Sequence, residues 1–238
     1  MKREVVVDLK ERHALGEQAA RHWYYVSKAR MITRHLQRSS HSILDVGAGE
    51  GWFSRWLLEN GYGQSAICVD PGYEADCESS VAGLPLLFRR SVSSIDQDLV
   101  LLMDVLEHVD DDVGLLARYW GSAPAGTTFI ITVPAFNFLW SSHDVYLEHR
   151  RRYTLGSLSR TIRKAGATPD RLHYFFGSVF PLAAIVRLVR RYSGEDASDM
   201  RPVPELVNSV LTGMCSLEVS MARWNKLAGL SVVARLTK

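Results

Sequence analysis

Long apolar runs, paired cysteines and a dominant charge are all missing from this 238-residue sequence. Its most apolar stretch, Tyr174 to Val189, is interrupted by Pro181 and Arg187 and falls short of the roughly 20 residues a membrane-spanning helix needs. A core or interface helix is expected there instead. The three cysteines, Cys68, Cys77 and Cys215, are odd in number and lack metal-ligand spacing. They read as reduced, intracellular thiols, and no metal site is expected. Met1-Lys2-Arg3-Glu4 is charged where a signal peptide is apolar, so the expected location is cytoplasmic. Repeats and low-complexity tracts are also lacking.

A formal net charge of +2 gives no strong nucleic-acid signal. It conceals an asymmetry. Residues 1–140 hold 13 Lys/Arg and 18 Asp/Glu, or −5, whereas residues 141–238 hold 15 and 8, or +7. A basic half of this kind suits an anionic substrate, a membrane surface or nucleic acid, although plain solvation accounts for many such biases. At 47% hydrophobic and 23% charged residues, the chain has the composition of one large α/β domain with added helices.

What is present begins with Ile43-Leu44-Asp45-Val46-Gly47-Ala48-Gly49-Glu50-Gly51-Trp52-Phe53-Ser54. An apolar strand enters an acidic, glycine-rich turn, and a helical pattern follows. Glycines at 47, 49 and 51 allow a sharp turn and let a ligand lie against backbone amides. The dinucleotide fingerprint requires glycine at its first, third and sixth positions. Here the sixth is Trp52, whose indole would obstruct the pyrophosphate approach, so NAD is the weaker reading.

Helical spacing runs from Glu11 to about Gln37. Strands are expected at Ser42 to Val46, Ser65 to Val69, Leu86 to Arg89, Asp98 to Met103 and Thr127 to Val133. Helices are expected after Gly51 as far as Asn60-Gly61, from Asp110 to Trp120, and from Leu155 to Ala165. A last helix spans about Val203 to Leu227, and Leu230 to Leu236 is expected to supply an edge strand. Strands alternating with helices imply a doubly wound, mostly parallel sheet that binds its ligand beyond the carboxyl ends of its strands. Asp45, Asp70 and Asp104 lie near three of those ends. Asp70, about 20 residues past the glycines, suits a ribose diol, or simply turns the chain before Pro71.

Three elements, Leu44 to Gly51, Val69-Asp70 and Met103-Asp104-Val105-Leu106-Glu107-His108-Val109, together resemble the motifs of class I S-adenosyl-L-methionine-dependent methyltransferases. The subgroup most resembled includes the quinone-biosynthesis type, and the resemblance covers about three quarters of the chain. It implies a Rossmann-like, seven-stranded α/β sheet with helices on both faces, in one domain. Residues 1–40 would form a helical lid, 41–170 the cofactor-binding core, and 171–238 apolar helices and the final edge strand. Carried to matching positions, it implies S-adenosylmethionine over Gly47, Ala48, Gly49 and Gly51, with Asp45 organising its amino-acid end. Asp70 and Pro71 would meet the ribose, Met103 and Asp104 the methionine side, with His108 nearby and Tyr24 in the lid. An acidic adenine partner is missing from the loop after the third strand, leaving backbone groups or Ser93.

An oxygen nucleophile must lose a proton on methylation, and His143, Asp144 and His149 are the candidates for receiving it, against structural roles for each. The aromatic residues Phe136, Phe138 and Trp140, with the apolar stretch from Tyr174, suggest a pocket for a hydrophobic, lipid-like or natural-product acceptor. The run His149-Arg150-Arg151-Arg152 is either an anion-binding fork or a solvated surface. The expected function is methylation of a small molecule, with oxygen favoured. The expected partner is that acceptor; peripheral contact with a membrane or lipid and self-association both stay open. A non-catalytic cofactor-binding module is the alternative. RNA methylation lacks the Asn-Pro-Pro-aromatic or Asp-Pro-Pro-aromatic signature.

Overall fold

The computed structural model describes residues 21–36, 41–193 and 203–238. Helix α1 (Trp23–Thr33) precedes β1 (His41–Val46), α2 (Trp52–Glu59), β2 (Gly63–Val69), β3 (Cys77–Val81), β4 (Leu84–Arg89) and β5 (Leu99–Met103). There follow α3 (Asp112–Ser122), β6 (Thr128–Pro134), the short α4 (Ser142–Tyr146), α5 (Leu155–Lys164) and β7 (Arg171–Phe175). Helices α6 (Phe180–Ser193) and α7 (Glu205–Met221) and strand β8 (Ser231–Thr237) complete the chain.

The strands form one mixed sheet in the order β3-β4-β2-β1-β5-β6-β8-β7. Strand β1 lies parallel to both β2 and β5, so the chain builds outward on one side of β1 and then returns to its other side. That reversal leaves a crevice at the carboxyl ends of β1 and β5, where α/β sheets of this topology place ligands. The central strands are apolar on both faces because helices cover both: Ile43, Leu44 and Leu99 to Leu102 are fully buried. On one face they pack with Ala29, Met31 and Ile32 of α1, Leu57 of α2, and Cys215 of α7. On the other they meet Leu116 and Tyr119 of α3 and Leu158 and Ile162 of α5. Asp111 caps α3 by accepting from the Gly114 amide at 2.8 Å, and Thr154 and Ser157 cap α5 reciprocally.

The expected helix and strand alternation is present, with three differences. The sheet has eight strands rather than seven, because Cys77–Val81 pairs antiparallel with β4; only Val81 of its residues is buried, so no hydrophobic alternation announced it. Strand β8 is not an edge: it lies antiparallel between β6 and β7, and the edges are β3 and β7. Tyr174 to Val189 is not one helix, since Tyr174 and Phe175 end β7 and the helix starts at Phe180. An apolar run covered on both faces has no period to distinguish strand from helix. The expected first helix is described only over Trp23–Thr33; its portion from Glu11 through residue 20, and Gln37, lie outside the described residues.

Gly51 shows how tightly the glycine turn is packed. It adopts a left-handed backbone at φ 70°, and a Cβ placed there would sit 2.7 Å from Cys68 Sγ and 3.2 Å from the Phe88 ring. Left-handed strain and overpacking together should cost Gly51→Ala about 2–4 kcal/mol. Urea denaturation checks this; an unchanged midpoint would show the turn relaxing freely.

Candidate active site

The turn after β1 is shaped by three left-handed glycines, Gly47 at φ 65°, Gly49 at 53° and Gly51 at 70°. It is tied to the end of β2, where Val69 O accepts from the amides of Gly47 at 2.7 Å and Ala48 at 3.3 Å. The Asp70 carboxylate accepts from the Gly49 amide at 3.2 Å and the Gly72 amide at 2.8 Å. Asp45 is buried, and its one side-chain partner is the Ser54 hydroxyl at 2.8 Å. Burial pushes its carboxyl up to about 7, opposed by the Ser54 hydrogen bonds and assisted by the charge of Asp70.

A cavity of about 950 Å³ opens beyond these strand ends. Asp45, Gly47, Ala48, Asp70, Pro71, Met103, Asp104, His108, His143, His149 and Tyr24 all line it. Gly49 and Gly51 do not; they shape the turn from behind. Ser93 is exposed and outside the lining, where Arg90 and Ser91 occupy the corresponding rim. Phe136, Phe138 and Trp140 are also outside it. Phe136 instead stacks on Tyr174 with ring centroids 4.9 Å apart, and packs against Phe138 and Phe180. The apolar wall comes from Val179, Leu182, Ala183 and Val186 of the α6 region and from Leu211 of α7.

Lys28 has no counterpart in the sequence reading. Its ammonium is fully buried, bonds the Asp104 carboxylate, and donates to the Tyr24 hydroxyl at 2.7 Å. Tyr24 in turn donates to Asp104 at 3.2 Å, and Thr132 donates to the other carboxylate oxygen at 3.1 Å. Burial favours the neutral amine, but Asp104 and Tyr24 outweigh it and raise the Lys28 pKa. For Asp104, too, burial opposes charge and is overcome, by Lys28 first, leaving the carboxyl below its usual range. Asp104 holds a left-handed backbone at φ 56°, the kind of strain that persists where surroundings over-determine it.

A second network lies across the cavity. Arg152 grips Asp144 with two parallel bonds, Nε to Oδ1 at 2.7 Å and Nη2 to Oδ2 at 2.8 Å. Asp144 Oδ1 also lies 2.8 Å from His149 Nδ1. Burial would raise the Asp144 carboxyl, but the His149 and Arg152 hydrogen bonds hold it well below its ordinary range. Asp144 itself is fully buried behind the wall, so it fixes the His149 ring while His149 faces the cavity. The basic run is therefore divided: Arg152 is buried and His149 lines the cavity, whereas Arg150 is exposed to solvent. Arg151 donates to the carbonyls of Val109 and Asp110, the Arg150 amide donates to Glu107 O, and Tyr153 donates to Leu106 O.

Glu107 is the other residue whose chemistry the sequence concealed. It lines the cavity, it is fully buried, and neither carboxylate oxygen has a hydrogen-bond partner. Burial, and then the charge of Asp104, push its carboxyl well above the usual range. Glu107, His108 and His149 each offer a ligand-capable atom within 4.8 Å of the others, two imidazoles and a carboxyl of the kind that shares a proton or suits a transition metal. His149 lies 42 residues after Glu107 in the chain, so spacing alone could not reveal this grouping.

A profile of the family described as a methyltransferase domain matches residues 20–172. The chain belongs to this family. It is a class I S-adenosylmethionine-dependent methyltransferase, and S-adenosylmethionine is its cofactor. Solved structures share the fold. A SAM-dependent methyltransferase from Thermotoga maritima is 17% identical, with 98% of this chain and 100% of that one covered at a TM-score of 0.60. One from Archaeoglobus fulgidus is 15% identical, with 97% and 99% covered at 0.54. A chain in the complex of the Trm112 methyltransferase activator with a methyltransferase from Haloferax volcanii is 15% identical, with 97% and 94% covered at 0.58. A search of curated protein sequences found no match. The cavity fits the cofactor: Gly47 and Ala48 line its floor, Asp70 stands just past β2, and buried Asp45 has no cationic partner among the described residues.

The Lys28–Asp104 pair makes a stability prediction. Removing the ammonium leaves a largely desolvated carboxylate, at about 3 kcal/mol. Lys28→Met should show that loss in chemical denaturation, and adding Asp104→Asn should recover part of it. Equal stability of Lys28→Met and the native protein would remove the pair from this role.

Proposed function

We propose that the protein methylates a hydroxyl oxygen of a small, hydrophobic acceptor, with His149 as the group that takes the proton. S-adenosylmethionine, when bound, supplies a methyl group on a positively charged sulfur. The observation that carries the reading is the Arg152–Asp144–His149 chain, whose imidazole faces the same cavity as the glycine turn. Asp144 accepts from Nδ1 and thereby leaves Nε2 as the acceptor atom, the arrangement a general base requires. Its ionised carboxylate also stabilises the imidazolium once the proton arrives. The mostly apolar wall from α6 and α7 excludes water from that transfer and favours an acceptor with a hydrophobic body.

In this reading Gly47 and Ala48 border the cofactor, Asp70 and Pro71 meet its ribose, and Met103 and Asp104 border its methionine side. Tyr24 closes over it from α1, and His143 lines the acceptor side. Arg90 and Ser91 replace Ser93 as the rim groups nearest an adenine. Asp45 receives the ammonium of the amino-acid end.

The role of Asp45 has a pH signature. Its folded-state pKa of about 7 lies above the ordinary value of 3.8, so the neutral acid predominates below pH 7 and the carboxylate above it. An ammonium prefers the carboxylate. Cofactor affinity should therefore rise from pH 6 to pH 8, with proton release on binding below pH 7. Asp45→Asn should bind more weakly at pH 8 and lose most of the slope. Calorimetry in buffers of different ionisation enthalpy tests this; a flat native profile would remove the charge role.

The catalytic reading is tested with methyl-labelled cofactor and organic extracts as the acceptor source. Label should pass into an extractable product. His149→Ala and Asp144→Asn should lower the rate by about 10²–10⁴-fold, with cofactor affinity retained. No labelled product, or undiminished rates in both variants, would overturn the assignment.

A further inference from the structure

Helices α6 and α7 bury one side and leave the other bare. Leu206, Val207, Val210, Met214, Leu217 and Met221 recur at helical spacing along one side of α7, and all are exposed, Leu206 and Leu217 by 77% and 76%. The opposite side carries the buried Cys215 and Val219. Trp224, 63% exposed, and Leu227, 90% exposed, prolong the apolar side beyond the helix. Leu182 and Ile185 of α6 are exposed by 62% and 61%. Monomeric soluble proteins rarely expose so much contiguous apolar surface, and such patches mark interaction sites.

Two further features select the occupant. Cations border the patch: Arg30 and Arg34 of α1 donate to Ser216 and Ser220, each the residue just before the exposed Leu217 and Met221. Arg223 lies over the exposed Trp224 ring at 4.0 Å. None of these three arginines is paired with a carboxylate among the described residues. A second copy meeting this face about a two-fold axis would bring the same uncompensated arginines together. An anionic surface would neutralise them. In addition, Leu182 and Val186 are exposed and also line the cavity, as does Leu211 of α7. The bare faces are thus continuous with the wall of the site.

We infer that α6 and α7 seat the enzyme on an anionic lipid bilayer, with the cavity opening toward the lipid so that a membrane-dissolved acceptor enters directly. Its substrate half rests on the methyltransferase reading above; its docking half does not. No described helix is long and apolar enough to cross a membrane. The helices therefore lie in the interface, their apolar side buried among acyl chains and their arginines at headgroup level. Arginine beside tryptophan at the end of an apolar stripe is the composition that position favours.

The test is cosedimentation of the full chain with vesicles of phosphatidylglycerol and phosphatidylcholine in equal parts, compared with phosphatidylcholine alone. At 0.1 M salt the anionic vesicles should take up at least about tenfold more protein, and 1 M salt should narrow the difference. Leu206→Glu with Leu217→Glu should abolish uptake. Arg30→Gln with Arg34→Gln should reduce the preference for anionic lipid while leaving circular dichroism unchanged. These residues lie outside the cavity, so calorimetric cofactor affinity should stay native in both variants. Absence of uptake at 0.1 M salt, undiminished uptake by the glutamate variant, or a dimer that this variant converts to monomer would overturn the docking proposal. Failed vesicle uptake with native cofactor affinity sinks docking alone, whereas failed cofactor binding sinks the methyltransferase reading.

Discussion

A fully buried ammonium requires an anion at contact distance, and for Lys28 the fold supplies Asp104. The requirement works in both directions. Asp104 stands at the carboxyl end of β5, on the rim of the cavity, in a left-handed backbone that its neighbours must hold in place. Lys28 stands on a helix that also rests on the sheet through the apolar contacts of Ala29, Met31 and Ile32. Their pairing fixes where α1 sits, and α1 then presents Tyr24 to the cavity and supports α7 through Asn208, which accepts from the Trp23 amide at 2.8 Å. Helix α1, the sheet and α7 are registered against one charge pair.

That pair also determines the state of the next carboxyl along the chain. Asp104 and Glu107 are three residues apart and share one cavity, yet only Asp104 has a cation beside it. Burial first, and then the charge of Asp104, drive Glu107 toward its neutral form. Two like groups held at different protonation states are the usual means of placing an acid and an anion together at one pH. In the second network Arg152 holds Asp144 as Lys28 holds Asp104, and Asp144 in turn fixes the His149 ring.

Much of the framework was legible because local chemistry and global position coincide. The glycine turn, the acid ending the second strand and the apolar fifth strand each carry their signal within a few residues. The networks were not legible for the opposite reason. Lys28 reads as one polar residue on an amphipathic helix until the fold brings Asp104 to it across 76 positions. Arg152 reads as part of a charged run until its fork closes on Asp144. Glu107 was visible as a motif letter, but its lack of a partner is a property of three dimensions. Strand β3 buries only Val81 and so shows no hydrophobic alternation, while β7 ends in apolar residues that run on toward α6 and leave its boundary unmarked. The aromatic loop lies outside the cavity because Phe136 found Tyr174 and Phe180 as packing partners, leaving the apolar wall of the cavity to aliphatic residues of the α6 region and α7.

The charge asymmetry between the halves of the chain acquires a physical meaning once the partners are known. The acidic first half places Asp45, Asp70, Asp104 and Glu107 around the cavity. The basic second half does not simply face water, because Arg150, Arg151 and Arg152 are engaged by Asp110, Asp112 and Asp144. Arg235 is likewise held by Asp170. Beside α7, Arg30 and Arg34 of the acidic first half and Arg223 of the basic second half have no carboxylate partner among the described residues. Simple solvation would scatter such residues over the surface. Their grouping beside one apolar stripe, which runs on into the wall of the cavity, is what the proposed docking on an anionic bilayer would explain.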